Sequence, residues 1–286
     1  HHFREAGNIQ ALAARSLGAP TRVIGLTWID EGQAIVVRPD TRVLEPADLR
    51  NLRFALPGFA RTRGESIARG MALHGIQSAL ALGGLTLGEA RLVEVPAPPI
   101  EQPSAAGMRR LWLGLDWLAA GRVDAVYIKG AAAAEAAARL GLVVGIDLDS
   151  YPSRLARVNN GTPRPITVHA DMIDDHFDIV VRFLEQTLRA ADWAAGNPAE
   201  LKHILARETL AGISGVEAAY RGDFHRSLHP DLSPDRVDML EKQANFLWLH
   251  GFLEHRVDVA RWIDPRPLDA ALARRAGLER YRAAAR

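Results

Sequence analysis

The chain reads as an α/β protein, and three observations predict it. From Thr21 to His169, short apolar runs of strand character alternate with helical patterns. Beyond His169 every periodic segment is helical. At 286 residues the chain is long enough for one core to divide into two. The alternation predicts mixed, mostly parallel sheets with helices on both faces, followed by a helical C-terminal region.

Each element has a local reason. An alanine-rich pattern from Ile9 to Ser16 is a helix, broken by Gly18-Ala19-Pro20. Thr21–Trp28 and Gln33–Arg38 are strands, the second ended by Pro39-Asp40. Glu45–Leu49 is a short helical turn with Pro46 near its start. Leu52–Pro57 is a strand closed by Gly58, and a long helix runs from about Thr62 to Leu82, stopped by Gly83-Gly84. Arg91–Val95 is a strand. Pro96, Pro98, Pro99 and Pro103 make the next stretch an extended loop. Leu111–Ala120 and Ala131–Leu140 are helices; Val123–Ile128, Leu142–Ile146 and Ile166–His169 are strands. The helical remainder covers 171–193, 198–208, 214–220, 234–253, 257–262 and 267–275. Ser214 with Glu217 has capping-box spacing.

Composition removes several function classes. A net charge of +1, with no basic stripe interleaved with aromatics, gives no basis for nucleic-acid binding. The longest apolar run, Gly130 to Ile146, contains Glu135 and Arg139, so no membrane span is expected. There is no cysteine, which excludes disulfides, thiolate nucleophiles and cysteine metal sites within these residues. His225 and His229 share the four-residue spacing of metal ligands, but Pro230 follows at once and no third ligand is near in sequence, so no metal and no cofactor are expected. Asp171, Asp174, Asp175 and Asp178 complement the dipole of the helix they open. Phe246, Leu247, Leu249 and Phe252 form one apolar face.

The candidate site lies almost at the start, in Phe3-Arg4-Glu5-Ala6-Gly7-Asn8-Ile9. A charged, glycine-containing turn runs directly into a helix N-terminus, where unpaired N–H groups and the helix dipole favour an anion. Arg4 can fork two hydrogen bonds onto an oxyanion, and Gly7 and Asn8 bring backbone close to it. The plainer reading is a solvated Arg4–Glu5 pair beside a turn. Further candidates follow strand ends, where ligands of open α/β sheets bind. Arg61 and Thr62 follow strand 52–57, as ligand contacts or as a cap with solvated charge. Tyr127 and Lys129 end strand 123–128, as ligand contacts or as a buried phenol and a surface amine. Trp28 ends strand 21–28, as an aromatic wall or as core.

The opening segment, with Gly25-Leu26-Thr27-Trp28-Ile29-Asp30-Glu31, Pro46-Ala47-Asp48-Leu49, Gly121–Tyr127, Gly222-Asp223-Phe224 and Leu240–Leu253, resembles two groups. They are the ABC-transporter substrate-binding proteins for sulfonate, nitrate and taurine, and the related sulfinate desulfinases. The resemblance implies a two-lobed periplasmic-binding-protein-like fold of type II, with residues 1–48 and 165–286 in one lobe and 49–164 in the other. It implies a ligand cleft between lobes, closure about crossovers near Arg38–Glu45 and Arg157–Pro165, and a further strand and helix ahead of His1. For the transport group it implies a small anionic ligand, an ABC permease as partner, a monomer, and a periplasmic or extracytoplasmic location. For the desulfinase group it implies C–S bond cleavage in the cytoplasm. In that group an arginine and a glycine N–H hold the sulfinate; Arg4 and Gly7 stand at those positions, while the cysteine nucleophile and catalytic histidine fall ahead of His1.

Overall fold

The computed structural model describes residues 2–96 and 114–284, with side chains described to Gly277. The extended loop expected around Pro98, Pro99 and Pro103, and the first residues of helix 111–120, lie outside these. The chain forms two compact units. The first comprises His1–Ile29, Asn160–Pro198 and His225–Arg286; the second comprises Asp30–Asn159 and Ala199–Phe224.

The first unit is built on a three-stranded sheet in the order β1-β8-β2: β1 (Phe3–Glu5), β8 (Arg164–His169) and β2 (Thr21–Thr27). β8 is antiparallel to both neighbours. A strand therefore precedes the first helix, where the sequence suggested none; three residues are too short for a periodic signal and are strand only because β8 pairs with them. The free edge of β2 is covered by loop backbone. Leu26 and Asp231 exchange hydrogen bonds of 3.0 and 2.9 Å, and the Asp264 N–H donates to the Val23 carbonyl at 2.9 Å.

Helix α1 (Asn8–Ser16) buries Asn8, Ile9, Leu12 and Ser16, one face at three- and four-residue spacing, and Gly18 ends it in the left-handed region. The predicted helix 171–193 is two helices, α5 (Ala170–Asp175) and α6 (Phe177–Gly196), broken at His176. Val180, Val181, Leu184 and Leu188 of α6 pack on Ile24, Ile166 and Val168 of the sheet and on Leu268 and Ala271 of α11 (Arg266–Ala284). Each such aliphatic side chain contributes about 1.5–3 kcal/mol by leaving water. Helix α9 (Pro234–Leu249) stops four residues before its expected end. Of the apolar face read there, Phe246, Leu247 and Phe252 are buried but Leu249 is exposed.

The second unit has a five-stranded sheet in the order β5-β4-β6-β3-β7. Its strands are β3 (Ala34–Val37), β4 (Arg53–Pro57), β5 (Arg91–Val95), β6 (Ala125–Ile128) and β7 (Val143–Asp147). β4 is parallel to β5 and β6, and β3 is antiparallel to β6 and β7, so every strand but β3 runs the same way. Central β6 is buried throughout, whereas edge strand β7 exposes Val143 and Val144. Because β3 pairs here, residues 30–48 belong to this unit, and so do 199–224; both differ from the division drawn from the resemblance.

Helix α2 (Ile67–Leu82) begins later than expected. The preceding residues fold as a loop around Ser66, whose hydroxyl accepts the Ala60 N–H at 2.9 Å and donates to the Thr62 carbonyl at 2.8 Å. The remaining helices of this unit are α3 (Gly114–Ala119), α4 (Ala131–Arg139), α7 (Pro198–Thr209, whose first residue falls in the first unit) and α8 (Ile213–Ala219). The capping box expected at Ser214 is absent. Gly212 is the N-cap of α8, Ser214 lies inside the helix, and the Gly212 N–H is held by Glu135 at 3.0 Å instead. Capping boxes do form at Glu45/Asp48 and Thr86/Glu89. Helix α10 (Val259–Trp262) completes the first unit.

Candidate functional site

The β1–α1 loop is shaped from both sides. Phe3 stacks on Phe183 with ring centroids 4.4 Å apart, and the Thr167 hydroxyl donates to the Arg4 carbonyl at 3.3 Å. Strand alternation then turns Arg4 away from Phe3, and its guanidinium is exposed, bonded to the side-chain oxygen of Gln10. The Glu5 carboxylate accepts the Thr27 hydroxyl at 2.7 Å, so it is engaged by β2 rather than by Arg4. The plain Arg4–Glu5 surface pair is therefore not formed.

Gly7 is the N-cap of α1, with no side-chain cap of its own and no acidic residue in the first helical turn. The cap comes from far along the chain: Asn160 Oδ1 accepts the Ile9 N–H at 3.0 Å. The Asn160 amide lies against Gly7 so closely that a Cβ there would sit 2.2–2.6 Å from its three terminal atoms. Only glycine fits at position 7 while Asn160 holds this place. Asn8 is wholly buried and its Nδ2 donates to the Pro163 carbonyl at 2.9 Å. Gly7, Asn8 and Asn160 are thus brought together at the start of α1, while the Arg4 side chain, on β1, reaches Gln10. Sequence reading missed Asn160 because Asn159-Asn160-Gly161 carries only the local signal of a turn. Trp28 is fully buried in the first unit and is core.

The second-unit candidates separate into two places. Arg61 and Thr62 are exposed in the loop after β4, and Thr62 Oγ1 accepts the Glu65 N–H at 3.2 Å. Phe59 in the same loop carries the guanidinium groups of Arg63 and Arg69 at 3.8 and 4.0 Å from its ring centroid. Tyr127 and Lys129 are instead interior. Tyr127 donates to Gln33 Oε1 at 2.7 Å and accepts from Asn159 Nδ2 at 3.1 Å, and Asn159 also donates to the Met71 carbonyl at 3.1 Å. Burial, with the charges of Asp149 and Glu31, holds the phenol well above its usual range, so Tyr127 is a neutral donor. Lys129 is buried against Glu31 at 3.1 Å, not on the surface. Among the described residues no group of three ligand-type side chains assembles, and His229 meets Asp192 at 2.8 Å.

Close to Tyr127 stands a charged cluster. Asp149 accepts the Gly32 and Gln33 N–H groups at 2.8 and 3.3 Å, Arg157 pairs with Asp30 at 2.8 Å, and Arg221 grips Asp147 at 2.6 and 2.7 Å. Burial first, then the neighbouring Asp30 charge, raises the Asp149 carboxyl from 3.8 to about 6, against the pull of its two backbone bonds. The folded protein therefore keeps a proton on Asp149 between about pH 4 and 6, where the unfolded chain has lost it. Stability from this group is full below about pH 4 and is lost as pH rises to about 6, by about 3 kcal/mol in all. Urea melts of wild type and Asp149→Asn across this range should show the wild type losing that advantage as pH rises; a constant difference would refute the assignment.

No known protein-family profile matches the chain. It is 25% identical over 304 aligned residues to 2'-hydroxybiphenyl-2-sulfinate desulfinase of Rhodococcus erythropolis, covering 96% of this chain and 81% of the relative. Among solved structures, the desulfurization enzyme DSZB superposes with a TM-score of 0.74 at 23% identity, over 96% of this chain and 85% of that one. The periplasmic aliphatic sulphonate binding protein SsuA from Escherichia coli superposes with a TM-score of 0.66 at 14% identity, over 92% of this chain and 75% of that one. The chain has the periplasmic-binding-protein-like fold that these proteins share. No helix among the described residues is long and apolar enough to cross a membrane.

Proposed function

We propose that this protein binds a small organosulfur oxyanion at the β1–α1 loop, as the substrate-binding component of an ABC importer working outside the cytoplasm. One observation supports the ligand class: relatives that span nearly the whole chain include ones named for sulfonate and for sulfinate. An exposed Arg4 beside a helix start without acidic residues suits such an anion, since a charge-assisted contact contributes about 1.5–3 kcal/mol. Arg61 and Thr62 are candidate anion contacts of the second unit by itself, in its exposed loop after β4. Tyr127 and Lys129 have their polar groups already engaged inside the second unit.

A second reading, sulfinate desulfination, is favoured by the 25% identity to the desulfinase, whose structural counterpart has been crystallised with biphenyl-2-sulfinic acid. The cysteine nucleophile that the resemblance implies for it is not among these residues. Calorimetric titration with taurine, alkanesulfonates, nitrate and aryl sulfinates, run beside an assay for released sulfite, separates the two. Saturable sulfonate binding without turnover is the expected result. Sulfite release from an aryl sulfinate would replace the transport reading, and no binding to any of these anions would end both.

A further inference from the structure

The second unit begins at Asp30, directly after Ile29 of the first. Its entry segment, Asp30–Gln33, is held by Asp149, which stands in the short turn after β7. The Asp149 side chain is only 9% exposed, and its two oxygens accept the Gly32 N–H at 2.8 Å and the Gln33 N–H at 3.3 Å. Gly32 is seated from another side as well: its φ is +70°, and a Cβ there would stand 2.7 Å from Ala219 Cα of α8. Around this seat three carboxylates meet two guanidinium groups. Arg157 pairs with Asp30 at 2.8 Å. Arg221 holds both oxygens of Asp147 at 2.6 and 2.7 Å, and reaches Asp149 only at 4.0 Å. Toward β6, Tyr127 is a neutral phenol and Lys129 is engaged by Glu31 at 3.1 Å. Ionised, Asp149 adds a third negative charge where each guanidinium already serves another carboxylate.

We infer that Asp149 is a proton-operated catch on the Asp30–Gln33 segment, shut while its carboxyl carries a proton and released when that carboxyl ionises. The two backbone bonds favour the charged form, but burial and the Asp30 and Asp147 charges oppose it and prevail, placing the carboxyl at about 6. Release lets water reach the carboxylate and returns it to its ordinary range near 3.8. Proton binding therefore favours the shut state, and the balance moves toward release as pH rises from about 4 to 6, by about a hundredfold in all.

Amide hydrogen exchange of the full chain, followed at Gly32 and Gln33 across this pH range and above it, tests the catch. After correction for the intrinsic pH dependence of exchange, the opening equilibrium at these two amides should rise by about a hundredfold between about pH 4 and 6 and then level off. It should exceed that of the central strand β6 throughout. Asp149→Asn keeps the shape and removes the titration, so its profile should be flat; a rise that persists in it belongs to another group and overturns the inference. Asp30→Asn removes one opposing charge and should make the rise smaller, which keeps the test open if the first variant does not fold. A flat wild-type profile would overturn the catch. So would exchange at Gly32 and Gln33 no faster than in β6, since release would then occur only when the whole unit unfolds. No ligand enters these measurements, so their outcome is separate from that of the proposed function.

Discussion

Replacing Gly75 with alanine is expected to destabilise the protein by about 2–4 kcal/mol. Gly75 lies in the middle of α2, where a Cβ would stand 2.1–2.5 Å from three atoms of the Tyr127 ring. The ring cannot retreat, because its hydroxyl is fixed between Gln33 and Asn159. Either the helix shifts, at an overpacking cost of about 1–3 kcal/mol, or the buried hydrogen bonds break at a similar cost for each polar group left unpaired. The helix propensity of alanine returns about 1 kcal/mol, which is too little to change the sign. Gly196 in α6, with nothing within 4 Å of its would-be Cβ, is the control, and alanine there should be close to neutral. Chemical denaturation monitored by fluorescence measures both. A Gly75→Ala variant as stable as wild type would show slack between α2 and β6 that these distances deny.

Arg4→Ala is the second large effect, and it falls on binding. The side chain is exposed and touches only Gln10 among the bonds described here, so the melting temperature should hold within about 2 °C, as for ordinary surface substitutions. Affinity for a sulfonate should fall by about 10–100-fold, the value of one charge-assisted contact. Arg4→Lys should recover part of it, because lysine keeps the charge and loses the fork. Isothermal titration decides the matter. A collapse of stability with no change in affinity would make Arg4 a structural residue of β1.

Much of the second unit was legible because its elements carry their own punctuation. Helix α2 stops at Gly83-Gly84, β4 ends at Pro57-Gly58, and β5 was read to the residue, because turn chemistry and apolar periodicity coincide there. The boundaries that moved were set by specific side-chain hydrogen bonds, one local and one long-range, that apolar periodicity does not carry. The start of α2 yielded to hydrogen bonds around Ser66, and the start of α8 to Glu135, a residue 77 positions away. Tyr127 and Lys129 were placed correctly at the end of a strand, but periodicity does not say whether a strand end is open or covered. Gln33, Asn159 and Glu31 cover them.

The sequence by itself determined the α/β class, the alternation through His169 and the helical tail. These follow from the order of apolar, polar, glycine and proline residues over a dozen positions or fewer, which is the range of local propensity. Only the tertiary structure decided which strands pair, that β3 joins the second unit, and that Asn160 closes the start of α1. Those outcomes rest on hydrogen bonds and close contacts between segments far beyond that range, 88 to 94 residues apart for β3 and β6 and 151 for Asn160 and Ile9. A turn-forming asparagine carries no mark of the N–H group it will find, because that partner exists only once the sheet has brought β8 beside β1.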